Sequence, residues 1–272
     1  MDLYNEDCLE KMKDLSDNSI DLLFCDLPYG QTSCKWDSLI DLELFWKEVN
    51  RVCKITTPMF FTCSTKFGVS LINSNPKNFR YDLVWVKSSP CGFLNAKKMP
   101  MKKHEMIYVF YRKLPFYNLS SHEHKLLPER KTIDYKNDSF IYGKIDRPDF
   151  MRKNGESAYE PPLPNSIIKT ELYSNENKEE PRELYRNEGG QYEPPLPNSL
   201  LEIKSQKGKH ATQKPTALIE WCLKYYSKEG DTILDPTMGS GSTGVACKNM
   251  NRNFIGIEKD EKIFNSAVER LK

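Results

Sequence analysis

Ten residues constrain this chain more than any others: Asp235 to Gly244, which read Asp-Pro-Thr-Met-Gly-Ser-Gly-Ser-Thr-Gly. The apolar run Thr232-Ile233-Leu234 precedes them and Val245-Ala246-Cys247 follows, a pattern of strand, tight glycine loop and helix. Gly239, Gly241 and Gly244 permit a turn that β-carbons would obstruct, let a ligand approach the backbone, and leave the first amides of the helix aimed at it. A nucleotide-like cofactor suits such a place. The run Asn253 to Ile257 reads as the next strand, and it ends in Glu258, an acid able to accept both hydroxyls of a ribose.

The same glycines satisfy G-x-G-x-x-G, which keeps a nicotinamide-dependent oxidoreductase among the readings. Position argues against it. Only 28 residues follow Gly244, enough for a helix, a strand and a closing helix, whereas a doubly wound sheet needs several more strands. Those strands must come from upstream. The expected architecture is therefore an α/β, doubly wound, Rossmann-like sheet in circularly permuted order, with its cofactor half last.

The upstream sequence supplies them. Ile20 to Cys25 reads as a buried parallel strand that ends at Asp26-Leu27-Pro28-Tyr29. An acid, a rigid turn and an aromatic at the carboxyl end of such a strand make a candidate site; a capping Asp with a turn Pro is the plainer reading. An amphipathic helix is expected near Leu42 to Lys54, a strand at Met59 to Cys63, a helix around Lys66 to Ile72, and strands at Tyr81 to Lys87 and Met106 to Tyr111. Lys97, Lys98, Lys102 and Lys103 cluster between the last two, a basic patch in a chain of net charge +2.

From Lys113 to about Ile203 the texture becomes polar and proline-rich, and Tyr-Glu-Pro-Pro-Leu-Pro-Asn-Ser occurs twice, at Tyr159 to Ser166 and Tyr192 to Ser199. Two copies are too few for a solenoid, so this is a local duplication within an insertion. Thr212 and Lys214 then precede a clear helix, Thr216 to Tyr226, where a hydroxyl, a cation and helix amides could hold a carboxylate. The eight cysteines are dispersed without C-x-x-C spacing and the four histidines lack ligand partners, so no metal is expected. No apolar run approaches a membrane span and no signal peptide is read at the start, so a cytoplasmic protein is expected.

Taken together and in this order, Asp26-Leu27-Pro28-Tyr29, His210-Ala211-Thr212-Gln213-Lys214-Pro215 and Asp235 to Thr243 resemble the amino-group DNA methyltransferases of the beta class, which use S-adenosylmethionine. The resemblance covers residues 1–112 as catalytic half and 204–272 as cofactor half; 113–203 match by position only, as an inserted target-recognition region. It implies that Asp26 and the Leu27 carbonyl accept hydrogen bonds from the amino group of a flipped base, with Pro28 shaping the turn and Tyr29 stacking on the ring. The family usually has Pro where Leu27 stands, but either residue offers the carbonyl. On the cofactor side it implies Asp7 near the adenine, Thr212 and Lys214 at the carboxylate, Asp235, Thr237, Gly239, Ser240, Gly241 and Ser242 along the methionine, and Glu258 at the ribose. Lys97, Lys98, Lys102 and Lys103 would bind DNA.

An Asp at position 26 points to N6 of adenine, with N4 of cytosine the alternative and an RNA substrate a further one. A cytosine C5 enzyme would need a nucleophile such as Cys91 after Pro90, which leaves Asp26 to Tyr29 without a task. Double-stranded DNA is the expected partner; the resemblance also leaves open a homodimer and a cognate restriction endonuclease.

Overall fold

The structure is a computed structural model that describes residues 1–28, 39–121 and 213–272, together with five short strand segments between the last two ranges. The first half runs β1 (Asp2–Tyr4), α1 (Cys8–Met12), β2 (Leu22–Cys25), α2 (Leu42–Val52), β3 (Met59–Cys63), α3 (Thr65–Ser74), β4 (Phe79–Cys91) and β5 (Lys102–Phe110). The short segments are β6 (Glu123–His124), β7 (Asp138–Ser139), β8 (Gly143–Lys144), β9 (Tyr159–Glu160) and β10 (Ile167–Lys169). The last part runs α4 (Thr216–Tyr226), β11 (Thr232–Asp235), α5 (Ser242–Asn249), β12 (Asn253–Ile257) and α6 (Glu261–Leu271).

Eight strands form one sheet in the order β1-β12-β11-β2-β3-β5-β4-β10. The five strands from β1 to β3 are parallel neighbours, and β5 runs antiparallel between β3 and β4. The join between the two ends of the chain is the pairing of β11 with β2, through Ile233 opposite Leu22 and Leu234 opposite Leu23. The permuted doubly wound sheet expected from the sequence is the one observed. β1 was not foreseen: three residues of mixed polarity give no strand periodicity, and they are ordered by pairing with β12.

Alternation along the strands sorts the helices onto two faces. Leu23, Cys25, Met59 and Phe61 point to the layer built with Met12, Phe45, Trp46, Val49, Phe67 and Leu71, which belong to α1, α2 and α3. Leu22, Phe24, Phe60, Leu83, Trp85, Ile107 and Val109 point to the other layer, where α4, α5 and α6 contribute Leu218, Cys222, Ala246 and Leu271. Both faces of the central strands are covered, which is why β2 and β3 are unbroken apolar runs.

Side-chain caps set the start of several helices. Asp41 accepts from the amides of Glu43 and Leu44 ahead of α2, Ser64 from Phe67 ahead of α3, and Asp260 from Lys262 and Ile263 ahead of α6. The chain divides into a first unit, Met1–Tyr117 with Ser166–Lys272, and a second, Asn118–Asn165. The first contains the sheet; the second contains two antiparallel pairs, β6 with β9 and β7 with β8. The insertion expected over 113–203, including the second Tyr-Glu-Pro-Pro copy, lies mostly outside the described residues. No helix among the described residues is long and apolar enough to cross a membrane.

Phe61 is fully enclosed, with the rings of Phe45, Trp46 and Phe110 each at an edge-to-face distance of 5.4 to 6.1 Å. Phe61→Ala should cost about 3–5 kcal/mol. Urea denaturation would read this as a lower midpoint at unchanged slope.

Candidate active site

In an open α/β sheet the crevice lies where strand order reverses, beyond the carboxyl ends of the strands. Here that point is the β11–β2 join, because the chain proceeds outward from β11 to β12 on one side and from β2 to β3 on the other. Asp26 leaves β2 at this point and Thr237 leaves β11. The two turns are tied directly: the Thr237 hydroxyl donates to the Asp26 backbone carbonyl at 3.0 Å, and its oxygen lies 3.3 Å from the sulfur of Cys25. Leu27 buries its side chain in the α1–α3 layer, which anchors the turn from below.

The Asp26 carboxylate is held at both oxygens. Thr62 at the end of β3 donates its hydroxyl to Oδ1 at 2.7 Å, and the Lys214 ammonium reaches Oδ2 at 2.6 Å. Lys214 also lies 3.2 Å from Glu105 Oε1, while Lys87 holds Glu105 Oε2 at 2.6 Å. Burial works against the Lys214 charge, but the carboxylates of Asp26 and Glu105 outweigh it and raise its pKa. Burial likewise pushes Glu105 up, and the two lysines more than reverse this, leaving its carboxyl below the ordinary range. Lys214 and Glu105 therefore both stay charged at neutral pH.

Lys214 was expected at a cofactor carboxylate, yet its ammonium sits between Asp26 and Glu105. The reason is its place in the chain, two residues ahead of α4 on the sheet face that α4 covers. Thr62, Lys87 and Glu105 were not singled out from the sequence. A usable signal existed: each continues the apolar face of its own strand by one period-2 step, as Phe60 to Thr62, Trp85 to Lys87 and Ile107 to Glu105, and Phe24 to Asp26 follows the same rule.

The glycine loop forms the other wall. Gly239 and Gly241 take left-handed conformations, with φ of 51° and 77°. Among the described residues a β-carbon at Gly239 would meet nothing within 4 Å, so the backbone there borders open space. At Gly241 it would meet Leu271 at 3.2 Å and Ala267 at 3.4 Å. At Gly241, then, the missing β-carbon makes room for α6. Ser240 and Ser242 are drawn to the same side, since Arg270 of α6 donates to the Ser240 carbonyl at 3.0 Å and to the Ser242 hydroxyl at 3.1 Å.

Asp235 is buried, accepting the Thr243 hydroxyl at 2.5 Å and the Thr237 amide at 3.2 Å. It ties the end of β11 to the first turn of α5. Burial pushes its pKa up to about 7 despite these donors. Glu258, at the end of β12, accepts the Gly239 amide at 3.1 Å and the Asp260 amide at 2.8 Å, and burial raises it too. Asn5 donates to the Glu258 carbonyl at 2.8 Å, and Asp7, which caps α1 through the Leu9 amide, pairs with Lys259 at 3.0 Å. Burial opposes ionisation of Asp7, but Lys259 and the cap hold its pKa down.

The structure thus brings together Asp26, Thr237 and Lys214 on one side and Asp7, Asp235, Gly239 and Glu258 on the other. Tyr29 and Thr212 lie outside the described residues. Lys97, Lys98 and Lys102 lie on and beside the β4–β5 connection, but Lys103 is only 4 % exposed, because it points to the same inner face of β5 as Glu105. Lys103 does not belong with an exposed DNA-facing set. Cys91 is exposed at the end of β4.

Comparison with known proteins identifies the family and the fold. Residues 20–269 match the N6/N4 methyltransferase family model, described as DNA methylase. The chain is 25% identical over 295 residues to the type II methyltransferase M.HinfI of Haemophilus influenzae, covering 98% of this chain and 67% of that protein. A 70-residue stretch is 46% identical to the type II methyltransferase M2.DpnII of Streptococcus pneumoniae, 26% of either chain. Among solved structures, the complex of M1.HpyAVI with SAM aligns over 99% of both chains with a TM-score of 0.57 at 22% identity. The cytosine-N4-specific PvuII DNA methyltransferase aligns over 99% of this chain and 86% of its own, with a TM-score of 0.62 at 13% identity. These two carry the fold.

The raised pKa of Asp235 has a sign that can be checked. From about pH 4 to pH 7 the unfolded chain loses this proton while the folded protein keeps it, so this group makes stability fall as pH rises through that window and leaves it level above. Asp235→Asn should remove that fall. Denaturation of the two proteins at about pH 4.5 and about pH 7.5 measures the difference.

Proposed function

The chain belongs to the N6/N4 DNA methylase family, as an amino-group methyltransferase of the beta class, and on that premise we propose that it methylates DNA at N6 of adenine using S-adenosylmethionine. The observation that carries the reading is the Asp26 turn tied through Thr237 to the glycine loop, which sets a base-binding carboxylate beside a cofactor cradle. The residues suit that cofactor. Among the described residues the backbone at Gly239 borders open space that a β-carbon would fill, Glu258 has a carboxylate at the edge of that space, and Asn5 and Asp7 bond to the Glu258 carbonyl and the Lys259 ammonium beside it. S-adenosylmethionine supplies, when bound, an electrophilic methyl group on a sulfonium centre.

The chain's own residues prepare the nucleophile. An exocyclic amine conjugated to a purine ring is poorly nucleophilic. Asp26 and the Leu27 carbonyl would accept its two hydrogens and so favour a tetrahedral nitrogen with its lone pair freed from the ring. Asp26 must be fixed in place for this, and its ties to Thr62 and Lys214 hold both of its oxygens. The target base must leave the duplex first, because its amino group is otherwise paired; Tyr29 is assigned to stack on it. Lys214 belongs on this reading to the base side of the pocket, while Thr212 remains assigned to the cofactor carboxylate.

Adenine is favoured by the Asp at the head of the Asp26 to Tyr29 motif. Incubation with unmethylated plasmid DNA and S-adenosylmethionine, followed by nucleoside mass spectrometry, should give N6-methyladenine; N4-methylcytosine would replace the adenine assignment, and labelling of RNA alone would remove DNA as substrate. Asp26→Ala should abolish turnover while calorimetric cofactor affinity stays within a few-fold. Replacing Lys97, Lys98 and Lys102 by Ala should weaken binding to all duplexes alike and lower the salt slope by about one for each phosphate no longer neutralised.

A further inference from the structure

The polar end of the α4-covered sheet face carries a charge arrangement that the reaction as derived does not use in full. Four side chains alternate in sign along one path: Asp26, Lys214, Glu105 and Lys87, separated by 2.6, 3.2 and 2.6 Å. Glu105 lies opposite Trp85 in the β4–β5 ladder, and Lys87 is one period-2 step beyond Trp85, so both emerge on the face that also carries Thr62 and Asp26. Glu105 is only 8 % exposed. A carboxylate so deeply enclosed is expensive unless its partners are fixed, and here both of its oxygens have a cation.

We propose that Glu105, itself held by Lys87, is a positioning residue for the base-binding carboxylate and acts through Lys214. This rests on Asp26 being the residue that accepts the base's amino group. Lys214 stands on a connection just ahead of α4, and a four-carbon stem on such a segment has many rotamers. Glu105 removes that freedom by binding the ammonium on the side away from Asp26. Lys214 is then held at Oδ2 rather than extending elsewhere, and Thr62 at Oδ1 completes the clamp. Lys87 orients Glu105 and brings the four charges to balance, so that Lys214 does not drain the acceptor strength that Asp26 must show the amine. The ring of Trp85, 5.3 Å from the Lys87 ammonium, steadies the outer end.

The alternation of charge makes this testable by compensation. Glu105→Gln leaves two ammonium groups facing an amide. Turnover on unmethylated plasmid DNA should fall about tenfold or more, with the KM for DNA and the calorimetric Kd for S-adenosylmethionine within about twofold. Lys87→Met combined with Glu105→Gln removes one charge of each sign and leaves the Lys214–Asp26 pair balanced, so kcat should recover several-fold over Glu105→Gln alone. A role in packing alone would make the double variant worse than the single, and that result would overturn the proposal. So would an unchanged kcat in Glu105→Gln, or a cofactor Kd that weakens in parallel with kcat. Asp26→Ala, measured alongside, keeps the two readings apart: if it retains turnover, the base-site assignment fails, whereas an inactive Asp26→Ala beside a fully active Glu105→Gln sinks only the positioning role. Should Glu105→Gln fail to fold, Lys87→Met alone tests the same path. It should lower kcat with cofactor Kd unchanged, and an unaltered kcat would count against the proposal.

Discussion

The pairing of β11 with β2 is the interaction on which the rest of the molecule depends. Two residue pairs, Ile233 with Leu22 and Leu234 with Leu23, join segments from opposite ends of the sequence and make a single sheet of the chain's first and last parts. Parallel pairing requires long crossovers, and here the entire middle of the chain serves as one. Because strand order reverses at this join, the carboxyl ends of β2 and β11 open into the crevice, and whatever the two turns carry must meet there. Thr237 turns that adjacency into a bond with the Asp26 backbone. On the proposed reading, methyl donor and acceptor sites are neighbours for a topological reason before any side chain is chosen.

The sheet's two faces then divide the labour. Toward α1, α2 and α3 the strands end in apolar packing that pins the Leu27 turn. Toward α4, α5 and α6 the same apolar layer gives way at its upper rim to Asp26, Thr62, Lys87 and Glu105, met from above by Lys214. Partly buried charges are tolerated here because each has a partner of opposite sign. The same rule explains Asp235, which is satisfied by a hydroxyl and an amide rather than by a cation, and has its pKa pushed up accordingly.

The glycine loop is specified in part by the protein's own packing. Within it, the missing β-carbon faces open space at Gly239, whereas at Gly241 and Gly244 it makes room for Leu271 of α6. A loop of this kind is a packing solution on one side and, on the proposed reading, a cradle on the other, and the two demands fall on different glycines.

Much of this was legible in the sequence. The run from Asp235 to Gly244, placed so near the chain's end, implied a permuted doubly wound sheet. The apolar runs at Ile20 to Cys25 and Met59 to Cys63 named its central strands, and the helix over Thr216 to Tyr226 was readable to the residue from its 3.6-residue period. These are local signals, carried by periodicity, glycine and proline. Which partner each charge takes is not local. Lys214 read as a cofactor ligand because sequence neighbours suggested helix amides, and it turned to Asp26 and Glu105 because the sheet brought residues far away in the chain within reach of its ammonium. Lys103 and Lys98 look alike in the sequence, yet Lys103 falls on the inner face of β5 and is buried, while Lys98, on the connection before it, stays in solvent. Chain chemistry by itself determined the central strands and main helices, their order and the family they resemble; tertiary structure decided β1, ordered by its pairing with β12, and the charge pairing, since strand and electrostatic partners are set by distance in space and by burial, neither of which a linear sequence encodes directly.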